Sequence, residues 1–184
     1  RFYDAKYAEA GLEAFKSGER AQFVEMLKAY NGGFSKDQAL FDAACGNGEF
    51  ISLVASDMDC AGCDISETAI ILAIARLRMS AQVFRCGIEE LPHWLYSGFD
   101  YVTCFGSIEH TFDPKRAFDK LMRLLRPGGI LLLTVPLEFE DCLGDISREP
   151  FGKNNERFGT EEEWKILFGA EPIHAKVISG QRPD

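Results

Sequence analysis

The chain has 184 residues, 46% of them hydrophobic and 27% charged, with a formal net charge of −9. That length fits one medium domain able to bury a real core, and no apolar run reaches the roughly 20 residues that a membrane-spanning helix needs. The acids are spread along the chain, which weighs against non-specific attraction to nucleic-acid phosphates and makes a small molecule the expected partner, with no membrane and no nucleic acid.

Taken in order, residues 2–30 read as one or two amphipathic helices rich in Phe, Tyr and Ala, forming a helical cap (1–35) ahead of a core at 36–184. The start at Arg1, with neither a methionine nor a leader pattern, reads as a trimmed single domain. Strand-like apolar runs follow at LFDAAC (40–45), DCAGCD (59–64), AQVFRC (81–86), FDYVTCFG (99–106), ILLLTV (130–135) and IHAKVIS (173–179). Between them, SETAIILAIARLRM (66–79) is apolar nearly all round, as expected of a helix lying on a sheet. PKRAFDKLMRLL (114–125) carries Ala117, Phe118, Leu121, Met122 and Leu125 on one face. Asp113 before Pro114 predicts a helix start, RPGG (126–129) a stop and a turn into the next strand, and Thr160 with Glu163 a capping box. Residues 136–159, with Pro136, Gly144, Pro150, Gly152 and Gly159, show no period, and long loops of this kind are often functional.

Apolar strands alternating with helices predict an α/β fold: a doubly wound, mostly parallel sheet with helices on both faces. Five of the six cysteines (Cys45, Cys60, Cys63, Cys86, Cys104, Cys142) fall in or beside strand runs, so free buried thiols in a reducing, cytoplasmic setting are expected. CAGC (60–63) has a redox or half-zinc spacing. In an extended run, however, residues three apart point to opposite faces, and no second pair completes a metal site, so none is expected.

In an open parallel sheet, ligands bind beyond the carboxyl ends of the strands, where strand order reverses. LFDAACGNGEF (40–50) ends the first strand there. Its Gly46 and Gly48 leave main chain bare, and the helix start that follows offers N–H donors to an anionic group. Asp64 ends the second strand about twenty residues on, where an acid accepts hydrogen bonds from ribose hydroxyls. The pattern implies an adenosine-containing ligand. Ile51 stands where the third glycine of a dinucleotide fingerprint belongs, which weighs against NAD.

D-x-A-x-G-x-G at Asp42, Ala44, Gly46 and Gly48 resembles motif I of the class I S-adenosylmethionine-dependent methyltransferases, with alanine at the first glycine. FDYVTCFGSIEHTFDPKRAFDKLMRLLRPGGILLLTVP (99–136) resembles the family's fourth strand, next helix and fifth strand. RCGIEELP (85–92) is similar to its segment after the third strand, and ERFGTEEEWKILF (156–168) to a helix start of the small-molecule branch.

The resemblance implies a Rossmann-like fold with S-adenosyl-L-methionine as cofactor. Asp42 and the backbone of Ala44, Cys45, Gly46, Asn47 and Gly48 would surround the methionine portion, Asp64 would hold the ribose, and Ile65 would flank the adenine. Gly87 stands where the family commonly has an aspartate, leaving Ile88 to pack and to offer its N–H, and Glu89 to substitute. Phe105 and Gly106 would line the site beside the sulfonium. The implied activity is methyl transfer to a small molecule. Oxygen is favoured over nitrogen or carbon because His110, after the fourth strand, is a candidate general base. Its other reading is a local cap or packing group. His93 and His174 read as structural, and Glu109 as facing solvent.

Two alternatives stay open: a non-catalytic cofactor-binding domain of a larger protein, and an NAD-dependent oxidoreductase, which would need a Tyr-x-x-x-Lys pair near the site. Phe2, Tyr3 and Tyr7 are expected to pack their helix or to close over the cofactor, while Arg148, Arg157 and Phe158 are candidate acceptor contacts. The family's seventh strand finds no room after IHAKVISG, which predicts truncation or loss of that strand.

Overall fold

The computed structural model describes residues 2–11, 19–137 and 159–172. Two helices, α1 (Phe2–Ala10) and α2 (Glu19–Asn31), precede an alternation of β1 (Ala39–Ala43), α3 (Glu49–Val54), β2 (Asp59–Asp64), α4 (Glu67–Leu77), β3 (Gln82–Arg85), β4 (Phe99–Phe105), α5 (Pro114–Leu124), β5 (Leu125–Thr134) and α6 (Glu161–Phe168). The five strands form one parallel sheet in the order β3-β2-β1-β4-β5. The chain runs outward from β1 through β2 to β3, then returns to lay β4 on the other side of β1. The order therefore reverses at β1, and the crevice of such a sheet lies beyond the carboxyl ends of β1 and β4.

Alternation along each strand fills two cores. Leu40, Cys60 and Tyr101 pack with Phe23, Leu27, Phe50, Ile51, Ala73 and Leu77 under α2, α3 and α4. Phe41, Cys63, Val102 and Cys104 pack on the opposite face with Phe118, Leu121, Trp164 and Phe168 of α5 and α6. Cys60 and Cys63 thus lie on opposite faces. Cys45, Cys60, Cys63, Cys86 and Cys104 are free thiols, and the described residues hold no metal-binding cluster. No described helix is long and apolar enough to cross a membrane.

The predicted caps are present. The Asp113 side chain accepts from Arg116 N with Pro114 in the first turn, and Thr160 and Glu163 form a reciprocal capping box. One boundary differs. RPGG does not separate α5 from β5: Leu125 already pairs with Phe99, residues 126–129 bulge outward, and Ile130 resumes opposite Tyr101. The bulge is held by Arg126, which pairs with Asp100 at 2.7 Å. Gly128 supplies the left-handed turn (φ 82°), and a Cβ on Gly129 would meet two carbonyl oxygens at 3.0 Å. Asp100 also accepts from Ala39 N at 2.8 Å, so the same carboxylate fixes where β1 begins. IHAKVIS, Cys142, His174, Arg148, Arg157 and Phe158 lie outside the described residues.

Candidate functional site

The loop after β1 turns through three left-handed residues, Ala44 (φ 58°), Gly46 (φ 56°) and Gly48 (φ 75°). Alanine therefore keeps the bend that a glycine would make there, at a steric cost of about 1 kcal/mol. The loop is tied down by Cys45 N donating to Cys63 O at 2.8 Å and Gly48 N to Cys45 O at 3.0 Å. Asn47 is buried within it.

At the end of β2, Asp64 is only 6% exposed. One carboxylate oxygen accepts from Gly46 N at 2.9 Å and the other from Ser66 N at 2.8 Å. Burial pushes its pKa above the ordinary carboxylate value, and the two amides pull it back. Each oxygen retains acceptor capacity, in a spacing suited to two neighbouring hydroxyls.

Both glycines also pack against side chains of other elements, which sequence reading missed. A Cβ on Gly46 would lie 2.5 Å from the Tyr7 hydroxyl, and one on Gly48 would lie 3.0 Å from Leu77 Cδ1. On the side where a Cβ would project, the bare main chain is met by the protein itself. Tyr7 is buried against Ala69, its phenol pushed upward by burial and by the nearby Asp64 charge. One turn earlier, Asp4 Oδ1 accepts from Ser66 Oγ at 2.7 Å and from Thr68 N at 3.3 Å, which lowers its pKa to about 2. The Tyr3 ring meets His110 edge-on at 6.0 Å. The side chain of Phe2 lies outside the described structure.

From α2, the Arg20 guanidinium sits 4.5 Å above the Phe105 ring, which Phe23 stacks at 4.6 Å and Phe50 meets edge-on at 4.9 Å. Phe105 is therefore anchored in the core at the mouth of the crevice. Arg20 also acts electrostatically on Asp42 and Tyr7. No sequence signal marked it, because a single cation at a helix start is ordinary until the fold brings it over the end of β4.

Asp42 is buried on β1, opposite Thr103, whose hydroxyl donates to it at 2.6 Å. Burial raises the Asp42 pKa to about 6, against the Thr103 hydrogen bond and the Arg20 charge. Gly106 is exposed with φ 54°, its N–H donating to Thr134 Oγ1 at 2.8 Å. Glu109, expected in solvent, is only 4% exposed. The short turn Ile108–His110 folds it back toward Gly106, where a Cβ would lie 3.7 Å from Glu109 Oε1. His110 is half-buried, with its backbone N–H on Ser107 O at 3.1 Å. His93 is exposed.

At the other end of the crevice, Ile65 is 60% exposed, Ile88 is buried, and a Cβ on Gly87 would lie 3.9 Å from Ile65 Cδ1. The Glu89 carboxylate accepts from Phe112 N at 3.0 Å and Asp113 N at 3.1 Å, which commits it to the loop ahead of α5.

Residues 41–133 match the family described as "Methyltransferase domain". The chain belongs to that family. Over 140 residues it is 28% identical to phosphoethanolamine N-methyltransferase 3 of Arabidopsis thaliana, covering 72% of this chain and 26% of that one. Over 103 residues it is 32% identical to the ubiquinone biosynthesis O-methyltransferase of Alkalilimnicola ehrlichii, covering 52% and 40%. Among solved structures, the fold is similar to Haemonchus contortus phosphoethanolamine N-methyltransferase 2 in complex with S-adenosyl-L-methionine, with a TM-score of 0.68, 21% identity, and coverage of 91% of this chain and 40% of that one. The chain spans from a quarter to less than half of the length of the curated relatives it matches.

The cofactor of this methyltransferase family is S-adenosylmethionine, and the residues present fit it. Asp64 offers a buried, pre-oriented carboxylate suited to a vicinal diol, and Ile65 and Ile88 give apolar surface beside it.

Because the folded-state pKa of Asp42 is raised, the protonated acid is favoured on folding. Its contribution to stability is complete below the unfolded value near 3.8 and is lost as pH rises through about 6. In urea titrations from about pH 4 to about pH 7, wild-type stability should fall relative to Asp42→Asn by on the order of 2 kcal/mol and level off above that range. Parallel profiles would remove the assigned shift.

Proposed function

We propose that this protein transfers a methyl group from S-adenosylmethionine to a small-molecule acceptor, with oxygen favoured over nitrogen or carbon. The observation that carries the reading is the buried Asp64 carboxylate, held between the amides of Gly46 and Ser66 at the point where strand order reverses. When bound, the cofactor supplies an activated methyl group, so the chain is left to align, to exclude water and to manage one proton.

Asp64 receives the two ribose hydroxyls, while Ile65 and Ile88 pack the base and Gly87 leaves room for it. Asp42 and the loop 44–48 hold the amino-acid end, where Asp42 attracts its ammonium group and Arg20 its carboxylate. Phe105, fixed by Phe23 and Phe50, and Gly106 line the region of the sulfonium. Tyr3 and Tyr7 of α1 close the crevice from above, as supported by their contacts with His110 and Gly46.

His110 takes the acceptor's proton as the methyl group moves, and the edge of Tyr3 keeps its ring in place. Relatives of both kinds, an O-methyltransferase and an N-methyltransferase, appear among the similar proteins, so the preference for oxygen rests on His110. A reducing, cytoplasmic setting is supported by the free thiols among the described residues. Burial pushes Cys60 up to about 12 and also raises Cys63 and Cys104, which leaves them unreactive.

Calorimetric titration should show that the wild type binds S-adenosylmethionine and S-adenosylhomocysteine but not NAD, and that Asp64→Ala weakens binding about 100-fold, as expected for two lost hydrogen bonds to a charged group. Equal affinity in Asp64→Ala would overturn the site assignment. In a turnover assay against an acceptor library, His110→Gln should lower kcat by about 100-fold or more with S-adenosylhomocysteine affinity unchanged. An unaltered kcat would leave His110 a packing group.

A further inference from the structure

We propose that Asp4 is a positioning residue that sets the cofactor-binding carboxylate of Asp64 through Ser66, so that α1 fixes the site as well as covering it. This rests on reading Asp64 as the ribose ligand.

The connection is continuous. The Ser66 hydroxyl has one proton, and it goes to Asp4 Oδ1 at 2.7 Å, while Ser66 Oγ accepts from Ala69 N at 3.1 Å. With both roles used, the Ser66 side chain has one rotamer, and its backbone N–H is aimed at Asp64 Oδ1 at 2.8 Å. The other oxygen of Asp64 is held by Gly46 N at 2.9 Å, and Gly46 is the residue against which the Tyr7 hydroxyl packs. Asp4 and Tyr7 are three residues apart on α1 and share one face of that helix. A single helical face therefore touches both residues whose amides orient the carboxylate, Ser66 through its hydroxyl and Gly46 through its α-carbon.

Asp4 Oδ1 also accepts from Thr68 N at 3.3 Å in the first turn of α4, but that capping bond does not by itself call for the bond to Ser66. Ser66 already caps α4 from within, and Asp4 adds a second carboxylate whose charge acts unfavourably on Asp64. A like charge brought close to a ligand-binding acid is compensated if it holds that acid's amide donor in line. Without Asp4, the Ser66 hydroxyl keeps only the Ala69 amide as a partner, its peptide unit is held less firmly, and Asp64 presents its two oxygens to a diol less well.

The test uses the whole protein with S-adenosylhomocysteine as probe, combining equilibrium titration, stopped-flow dissociation and thermal melts with and without the probe. Asp4→Ala should weaken binding about tenfold, mainly through faster dissociation. It should shrink the melting-temperature rise produced by the probe, and cause no further loss when added to Asp64→Ala. Asp4→Asn, which keeps an acceptor oxygen for Ser66, should recover part of the affinity and serves if the alanine variant does not fold. If Asp4 variants lower the melting temperature of the free protein but leave affinity and dissociation rate unchanged, Asp4 is only a helix cap and the proposal fails while the site assignment stands. If the wild type does not bind the probe, or Asp64→Ala binds it equally well, the site assignment fails and takes the proposal with it.

Discussion

The buried carboxylate of Asp64 joins two loops that the sheet alone would leave independent. Burying an acid is costly unless hydrogen bonds replace the lost water, and here the replacements come from Gly46, after β1, and Ser66, ahead of α4. Register makes this possible: β1 and β2 pair in parallel with Ala43 opposite Cys63, so both strands end at the same level and the loop of one passes the tip of the other. Left-handed backbone at Ala44 and Gly46 then turns an N–H back toward Asp64. Removing the carboxylate would leave two buried amides without that acceptor at the point where the strand order reverses.

Around that acid the N-terminal helices complete the crevice. α1 brings Asp4 and Tyr7 against the two residues that hold Asp64, and Tyr3 against His110. α2 brings Phe23 and Arg20 onto Phe105 at the end of β4. Charge is distributed to match. Asp42, Asp64 and Asp4 concentrate negative charge at the end of β1 and β2, and the Arg20 guanidinium opposes it from the other side, a polarity suited to a zwitterionic ligand end.

Much of this architecture was legible in the sequence because it rests on local chemistry. Apolar runs bounded by polar turns located β1 to β4 to within one or two residues, and Asp113-Pro114 and Thr160/Glu163 marked helix starts through hydrogen bonds made within a single turn. The place of Asp64 at the end of the second strand could be read from its spacing, because parallel register fixes where that strand ends. What escaped was set by tertiary contact. Gly48 packs closely on Leu77, which lies 29 positions along the chain, and Glu109 is buried by a fold-back that no periodicity announces. Arg20 has meaning only once α2 lies over Phe105. The RPGG segment read as a plain turn, but pairing with Phe99 begins before it, and the Arg126–Asp100 contact that makes it a bulge spans two elements.

The most direct measurement is a crystal structure of the protein with S-adenosylhomocysteine at saturating concentration. The predicted result is ribose hydroxyls within hydrogen-bonding distance of both Asp64 oxygens, with the amides of Gly46 and Ser66 still donating to that carboxylate and the amino-acid end beside Asp42 and the 44–48 loop. Density for the ligand elsewhere on the protein, or a crevice left empty at Asp64 under those conditions, would contradict it.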